Sequence, residues 1–253
     1  MYNTVMKHKT IFICSVAVFT LLCLVVARGL HISRFEVARI IKQISYSTED
    51  MLASVIYTDE KIKIPIEFQK QEHTVTCEVA ALRMALNYFG ARVTEDELLL
   101  RLPFDTRDAK TKDNIWGDPN KGFVGDVNGS IFHGTGYGVY ETPIRDLALS
   151  YRDAFIIDKA GLPRVLQEVN KGHPVIVWGL LSDTGPMYWK TKDGQKVTAF
   201  PGEHARVVIG YSGTATKPGH IIMMDPIYGK IRMSTSDFLS DWNKLGNKAV
   251  VVY

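Results

Sequence analysis

The sequence predicts an α+β fold in which helices come first and an antiparallel sheet follows. Between residues 71 and 172, apolar side chains recur at steps of three and four, and glycine and proline mark the helix ends. From residue 174 onward, short runs rich in valine and isoleucine alternate with turns, which is typical of strands. Because helices and strands are segregated along the chain, we expect α+β rather than a doubly wound fold.

The N-terminal 29 residues contain an apolar segment flanked by basic residues. Residues 11–27 are apolar apart from Ser15, Thr20 and two cysteines, and Lys7 and Lys9 precede them. This length is near the lower limit of about 17–25 residues for a membrane span. The pattern predicts a signal anchor, with a cleaved signal peptide as the alternative. We therefore expect a single-pass protein of the cell membrane with its domain outside the cytoplasm, or a secreted protein.

The chain is predicted to have three regions. Residues 1–29 are the anchor or signal peptide, residues 30–61 a helical stalk or linker, and residues 62–253 one domain large enough for a good core. The hydrophobic content of 46% and the charged content of 23% are ordinary for a globular protein. The net charge is +3 without a basic stripe or an RNA-binding motif, so nucleic acid is not an expected partner.

The stretch from Gln71 to Gly90, QEHTVTCEVAALRMALNYFG, carries the main functional signal. Thr76 can cap a helix that ends at Gly90, which puts Cys77 at the first helical position. The positive end of a helix dipole favours a thiolate. The other two cysteines lie in the N-terminal apolar segment, so Cys77 would be a lone thiol in an oxidising compartment. These observations favour a nucleophile over the alternative, a small buried core residue.

Signals of the same kind define the other elements. A capping box at residues 94–97 opens a short helix that Pro103 stops. Residues 104–141 are rich in glycine, aspartate and asparagine and predict a long loop. The further predicted helices are at 142–151, with Pro143 at the first helical position, at 162–172 and, capped, at 234–245. The predicted strands are an edge strand at 62–68 and strands at 174–180, 206–211, 221–224, 230–233 and 249–253.

A cysteine nucleophile needs a base and a group that orients the base. His204 directly precedes an apolar strand, and Asp225 ends the next strand. If the two strands form a hairpin, the carboxylate lies beside the imidazole and can hold its Nδ1 proton. The alternatives are a solvated loop histidine and an Asp-Pro turn, and neither residue is assigned to the core. Together with Cys77, the two residues predict a catalytic triad.

Two glutamines are candidates for the group that stabilises an oxyanion. Gln71 lies six residues before Cys77, and Gln69 lies on the same face of a predicted extended segment. The Gln71 amide beside the Cys77 backbone N–H could form an oxyanion hole, and Gln69 is its rival. The sequence contains no HExxH, CxxC or EF-hand pattern and no phosphate-binding loop, so we expect neither a metal nor a cofactor.

These motifs together resemble those of papain-like cysteine peptidases. The closer resemblance is to the double-glycine leader peptidases that process bacteriocin precursors, and to their stand-alone bacterial relatives. It rests on Gln71 six residues before Cys77, on NYFG at 87–90, on HARVVIGY at 204–211 and on DPIYG at 225–229. The resemblance covers residues 62–253. It implies a papain-like fold whose cysteine-bearing helix packs on an antiparallel sheet, and a Cys77–His204–Asp225 triad with Gln71 in the oxyanion hole.

The sequence departs from the leader peptidases at two points. Glu78 follows the cysteine where those enzymes usually have glycine, although the stand-alone branch often has glutamate there. No ATP-binding cassette or transporter domain is recognised, so processing coupled to export is not implied. The expected function is a membrane-tethered or secreted cysteine peptidase that cleaves peptides or proteins through a thioacyl-enzyme. The alternatives are a catalytically silent peptide-binding module of the same fold and an acyl or amide transferase.

Overall fold

The computed structural model describes residues 59–157, 161–183 and 185–253, all of which belong to one compact unit. The predicted anchor at 1–29 and nearly all of the predicted stalk at 30–61 lie outside the described residues. In the part of the chain that is described, no helix combines the length and the apolar character that a membrane crossing needs.

The described residues form a mixed α+β fold around one large antiparallel sheet, as the sequence predicts. Its strands are β1 Glu60–Ile62, β5 Ala154–Ile156, β6 Val175–Leu180, β9 Glu203–Thr214, β10 Lys217–Asp225, β11 Gly229–Ser234 and β12 Ala249–Val252. The spatial order is β11–β10–β9–β6–β12–β5, and β1 pairs with the far end of β9. Every residue of β6 and β12 is buried, because helices cover both faces of the sheet there. This explains why their sequences are continuous apolar runs.

The described helices are α1 Cys77–Tyr88, α2 Glu95–Arg101, α3 Glu141–Leu149, α4 Gly161–Asn170 and α5 Thr235–Lys244. Helix α1 packs on β9 and β6, and each residue from Cys77 to Leu86 is buried. A helix that is buried all round lies in the core. The helix begins at Cys77, and Gly90 follows its end with a φ of +85°, a value that favours glycine. Both predicted ends of the helix are therefore confirmed.

The segment predicted as one long loop contains regular structure. Three short strands form a second sheet, and a separate hairpin follows β6, neither of which was predicted. Each of the three strands has only three residues, too few to show an alternating pattern. The small sheet consists of β2 Phe104–Thr106, β3 Phe123–Gly125 and β4 Gly136–Gly138, and the hairpin of β7 Met187–Lys190 and β8 Lys196–Ala199.

Two proline-based boundaries were wrong. Helix α3 begins at Glu141, so Pro143 is its third residue and not its first. The first four N–H groups of a helix have no partner within the helix, so proline costs little at any of these positions. Strand β1 spans Glu60–Ile62 and ends before Pro65, which has no N–H to give to a neighbouring strand.

The predicted side-chain caps differ between the two helices: the cap of α2 is present, whereas Thr76 takes the N-cap position of α1 without a side-chain cap. The capping box at Thr94 and Glu97 is present in full. Thr76 precedes α1, but its side chain does not cap the helix. Its hydroxyl donates instead to the buried carboxylate of Glu95 on α2. This contact fixes the start of α1, and hence Cys77, against the following helix.

Candidate active site

The Cys77 thiol is buried between the start of α1 and the start of β9. The backbone N–H of Ala205, the residue directly after His204, donates to Cys77 Sγ at 3.3 Å. The thiol in turn donates to Oε2 of Glu78 at 3.4 Å. The predicted nucleophile therefore lies against the strand that carries the predicted base.

His204 and Asp225 form a buried pair at one end of the β9–β10 hairpin. The two strands are antiparallel, so the start of β9 lies beside the end of β10, as predicted. His204 Nε2 lies 3.0 Å from Asp225 Oδ2. The prediction that the carboxylate holds Nδ1 is wrong: Nε2, at the outer edge of the ring, is the nitrogen that reaches across the spacing of about 4.8 Å between neighbouring strands.

The surroundings of Asp225 keep it ionised. Its Oδ1 accepts hydrogen bonds from the backbone N–H groups of Ile227 at 2.8 Å and Tyr228 at 3.1 Å. Burial by itself would raise the pKa of Asp225. The contacts with His204, the positive charge of Arg206 and these hydrogen bonds outweigh burial and hold the pKa of Asp225 well below its usual value. The carboxylate is therefore fixed in both orientation and charge.

Arg206 is a member of the site that the sequence analysis missed. Its Nε donates to Asp225 Oδ2 at 2.8 Å, the same oxygen that bonds His204, and its Nη2 donates to the Leu180 carbonyl at 3.2 Å. The sequence did contain a signal for this role: Arg206 is a charged residue within the apolar run HARVVIGY, two positions after His204. Residues i and i+2 of a strand share a face. Arg206 therefore had to lie on the same side of the sheet as His204.

The expectation that neither His204 nor Asp225 belongs to the core is also wrong. Their relative exposures are 1% and 0%. Helix α5 covers the neighbouring part of the sheet, and Asp241 of that helix lies close to Gly179, the residue paired with His204 on β6. Polar residues at strand ends are usually solvated, and here the packed helix removes that solvent.

The two candidate glutamines have different surroundings. The backbone N–H of Gln71 donates to the Pro226 carbonyl at 2.8 Å, which ties this segment to the turn after Asp225. The Gln71 side-chain amide donates to the His73 carbonyl at 2.6 Å. Gln69 instead accepts a hydrogen bond at 2.9 Å from Asn87, near the other end of α1. Gln71 is thus linked to the turn of the predicted triad, and Gln69 is linked to the end of the helix.

The resting thiol is protonated, contrary to the expectation from the helix dipole. Burial raises the pKa of Cys77 well above its ordinary value, and the charges of Glu78 and Glu203 raise it further. The hydrogen bond from the Ala205 N–H lowers this pKa but does not outweigh them. The ligating atoms of Cys77, Glu78 and Glu203 lie within 4.8 Å of one another. We assign no metal to this cluster, since both Glu78 oxygens are engaged, Oε1 by the Val139 N–H and Oε2 by the thiol.

Three other histidines are bonded to groups outside this site. His73 lies 2.8 Å from Asp96 Oδ1, His173 Nδ1 lies 2.8 Å from the buried Glu168, and His220 Nδ1 lies 3.3 Å from Ser212 Oγ. Their contacts account for them as structural residues. His204, the predicted base, is followed by Ala205, whose N–H contacts the Cys77 sulfur.

The fold and this site define the class: an α+β domain of the cysteine-peptidase type, with a thiol at a helix start packed on an antiparallel sheet. Residues 61–250 match the Peptidase_C39 like family, and the chain belongs to that family. The resemblance drawn from the sequence motifs is thereby confirmed.

Three individual proteins are similar to this chain. The chain is 33% identical over 182 residues to the uncharacterized protein YvpB of Bacillus subtilis (strain 168), a match that spans 70% of this chain and 68% of YvpB. The crystal structure of a candidate C39-like peptidase from Bacillus anthracis superimposes with a TM-score of 0.66 at 26% identity, covering 77% of this chain and 97% of that one. A double glycine motif protease from the AMS/PCAT transporter, in complex with the leader peptide, gives a TM-score of 0.39 at 14% identity, covering 77% of this chain and 94% of that one.

Proposed function

We propose that this protein is a cysteine peptidase that cleaves a peptide or amide bond through Cys77, His204 and Asp225. The observation that carries the proposal is the buried pair of His204 and Asp225 beside the cysteine. Ala205, the residue after His204, donates its N–H to the Cys77 sulfur. Membership of the Peptidase_C39 like family supports the same chemistry. From residues 11–27 we propose that the domain is tethered to the membrane outside the cytoplasm, or secreted.

The proposed reaction uses the two nitrogens of His204 for different tasks. Asp225 bonds Nε2, so Nδ1 is the atom that exchanges a proton with the Cys77 thiol. Cys77 Sγ attacks the carbonyl carbon as its proton passes to His204, and His204 then protonates the leaving amine. A water molecule hydrolyses the thioacyl-enzyme and restores the thiol. The ionised Asp225 stabilises the imidazolium that forms in both steps.

Gln71 is proposed to stabilise the oxyanion together with the Cys77 backbone N–H. Its amide carries two N–H groups, of which one donates to the His73 carbonyl. First-turn N–H groups of a helix, such as that of Cys77, have no partner within the helix. Two such donors aimed at a developing oxyanion lower the barrier because they are fixed before the charge forms.

Covalent labelling tests the proposed nucleophile. We expect a peptidyl electrophile to label the protein at Cys77, faster than iodoacetamide does, because a bound peptide places the electrophilic carbon beside the sulfur. Mass spectrometry of the labelled protein locates the adduct, with Cys77→Ala as the control for Cys14 and Cys23. Labelling at the rate of free cysteine, unaffected by His204→Ala, would show that the thiol is not activated.

A matched pair of variants separates the two glutamines. Gln71→Ala is expected to lower kcat by about tenfold to a hundredfold, less than the full cost of an oxyanion donor, since the Cys77 N–H remains. Gln69→Ala is expected to keep kcat and to lower the melting temperature, because it removes the contact with Asn87 at the end of α1. The reverse pattern, with activity lost in Gln69→Ala, would assign the oxyanion hole to Gln69.

One observation favours the alternative of a silent peptide-binding module: the thiol is buried and protonated at rest. Such a module would bind peptides without turnover and would not form a thioacyl adduct. A transferase would form the same adduct, and hydroxylamine would trap its acyl group as the hydroxamate. Product analysis by mass spectrometry therefore distinguishes the three functions once a substrate peptide is found.

A further inference from the structure

The Glu78 carboxyl is enclosed by groups that fit it closely. It is fully buried; its Oε1 accepts a hydrogen bond at 2.7 Å from the Val139 N–H, and its Oε2 accepts from the Cys77 thiol. Gly138 has a φ of +136°, and a Cβ atom there would overlap Glu78 Oε1. The backbone after β4 is thus shaped around this carboxyl group, which marks Glu78 as more than a solvated helix residue.

Glu203 places a second carboxyl group beside the first. It is the first residue of β9, and one of its oxygens lies within 4.8 Å of one Glu78 oxygen and of Cys77 Sγ. Its Oε1 is buried and has no hydrogen-bond partner among the described residues. Two carboxyl groups this close in a buried site do not both ionise, because each charge disfavours the other. The pair therefore retains at least one proton at neutral pH.

The charges around this pair act in opposite directions. Glu95 on α2 disfavours the anionic form of Glu78, whereas Arg206 on β9 and Lys248 before β12 favour the anionic form of Glu203. Burial is the largest effect on both: it raises the pKa of Glu78 to about 7 and the pKa of Glu203 well above its usual value. The other titratable groups that interact with the pair are Cys77, Tyr137 and Tyr140. Glu141 interacts with Tyr140, and His204 follows Glu203 in the chain.

We propose that Glu78 is a positioning residue for the nucleophile: with Glu203 it forms a carboxyl pair that holds the resting Cys77 thiol protonated and directed away from the solvent. Reactivity then depends on the charge of the pair. An anionic Glu78 beside the sulfur opposes the thiolate, and a neutral pair permits it. The inference rests on the proposed function only in taking Cys77 as the reacting group, because its test measures the thiol and needs no substrate.

The test is the rate at which iodoacetamide alkylates Cys77 as a function of pH. The full chain is used with Cys14→Ser and Cys23→Ser, so that one thiol reacts. In Glu78→Gln the charge at 3.4 Å from the sulfur is gone at every pH. We expect the apparent thiol pKa to fall and alkylation at pH 8 to speed up by at least about tenfold, since such a charge shifts a buried pKa by more than one unit.

The substitution is chosen to spare the fold. The glutamine Oε1 can still accept the Val139 N–H, so the melting temperature should change little. Glu168→Gln is the matched control, because it removes a buried carboxylate of another helix, α4, which bonds His173 outside the site. Its alkylation profile should match that of the parent protein. A purely structural Glu78 would give the parent profile in Glu78→Gln as well, and that result would overturn the proposal.

A second variant keeps the proposal testable if Glu78→Gln does not fold. Glu203→Gln removes the other carboxyl group of the pair and should also lower the apparent thiol pKa. An unchanged profile in Glu203→Gln would then refute the role of the pair. A failure of the proposed peptidase function would show itself differently, as labelling by a peptidyl electrophile that does not depend on His204.

Discussion

Replacing His204 with alanine is expected to reduce turnover by roughly 10⁴-fold or more, because the variant has no group to take the thiol proton or to protonate the leaving amine. The fold should persist. Asp225 would lose one partner but would keep the Arg206 guanidinium and the N–H groups of Ile227 and Tyr228. The carboxylate would therefore remain bonded, and the cost would be a small cavity in place of the ring, on the order of 1–3 kcal/mol.

Hydrolysis of a fluorogenic peptide measures this loss, with Cys77→Ala setting the floor. His204→Ala should approach that floor while its melting temperature stays within a few degrees of the parent value. His173→Ala is the matched control: it removes a histidine that bonds a buried carboxylate, Glu168, outside the site. A His204→Ala protein with nearly the full rate would show that the base is another group.

Asp225→Asn is expected to lower stability as well as activity. Asparagine can still bond His204 Nε2 but removes the negative charge that pairs with Arg206 Nε. Removing one partner of a buried ion pair costs up to about 3–5 kcal/mol. Turnover should fall by roughly tenfold to a hundredfold, less than in a serine peptidase, because the hydrogen bond to the ring survives. This loss of stability follows from the burial of the pair, which the sequence did not assign to the core.

The stability difference should depend on pH in a defined direction. The pKa of Asp225 lies well below its usual value of 3.8 in the folded protein, so its contribution is present above about pH 4 and is lost as the pH falls further. The gap in urea midpoint between the parent and Asp225→Asn should therefore narrow from pH 6 to pH 3. A gap that stays constant would mean that the charge of Asp225 does not stabilise the fold.

Adding Arg206→Met to Asp225→Asn provides the control for the lost ion pair. If the loss comes from the buried guanidinium, the double variant should recover part of the stability, since an apolar side chain of similar length needs no counter-ion. No recovery would trace the loss to the turn, where Asp225 Oδ1 accepts two backbone N–H groups.

Much of the fold could be predicted because its signals are local. The start of α1 follows from Thr76 and Cys77, its end from Gly90, and the β9–β10 hairpin from two successive apolar runs at 206–211 and 221–224. The approximate place of Asp225 beside His204 then follows from antiparallel pairing. Each of these inferences needs only a few neighbouring residues.

The remainder depends on contacts between distant segments. Arg206 neutralises Asp225, and Glu203 lies beside Glu78, across separations of 19 and 125 residues in the chain. The spacing of His204 and Arg206 at i and i+2 was visible in the sequence, but nothing in the sequence indicates the contact between Glu203 and Glu78. The protonated thiol is a result of the same kind, because the helix dipole is a local effect, whereas the burial of the thiol and the charge of Glu203 come from distant segments. Local patterns therefore indicated the proposed reacting groups but not their charge states.

The placement of Arg206 has a consequence for how this site can evolve. Its guanidinium lies against Gly179 on β6, where a Cβ atom would lie 3.2 Å from Nη1. A side chain at position 179 would require the guanidinium to shift by a few tenths of an ångström, against its hydrogen bond to Asp225 Oδ2. Gly179, Arg206 and Asp225 lie on three adjacent strands, so the residue type tolerated at each position depends on the other two. We therefore expect related sequences that differ at one of these positions to differ at the others as well.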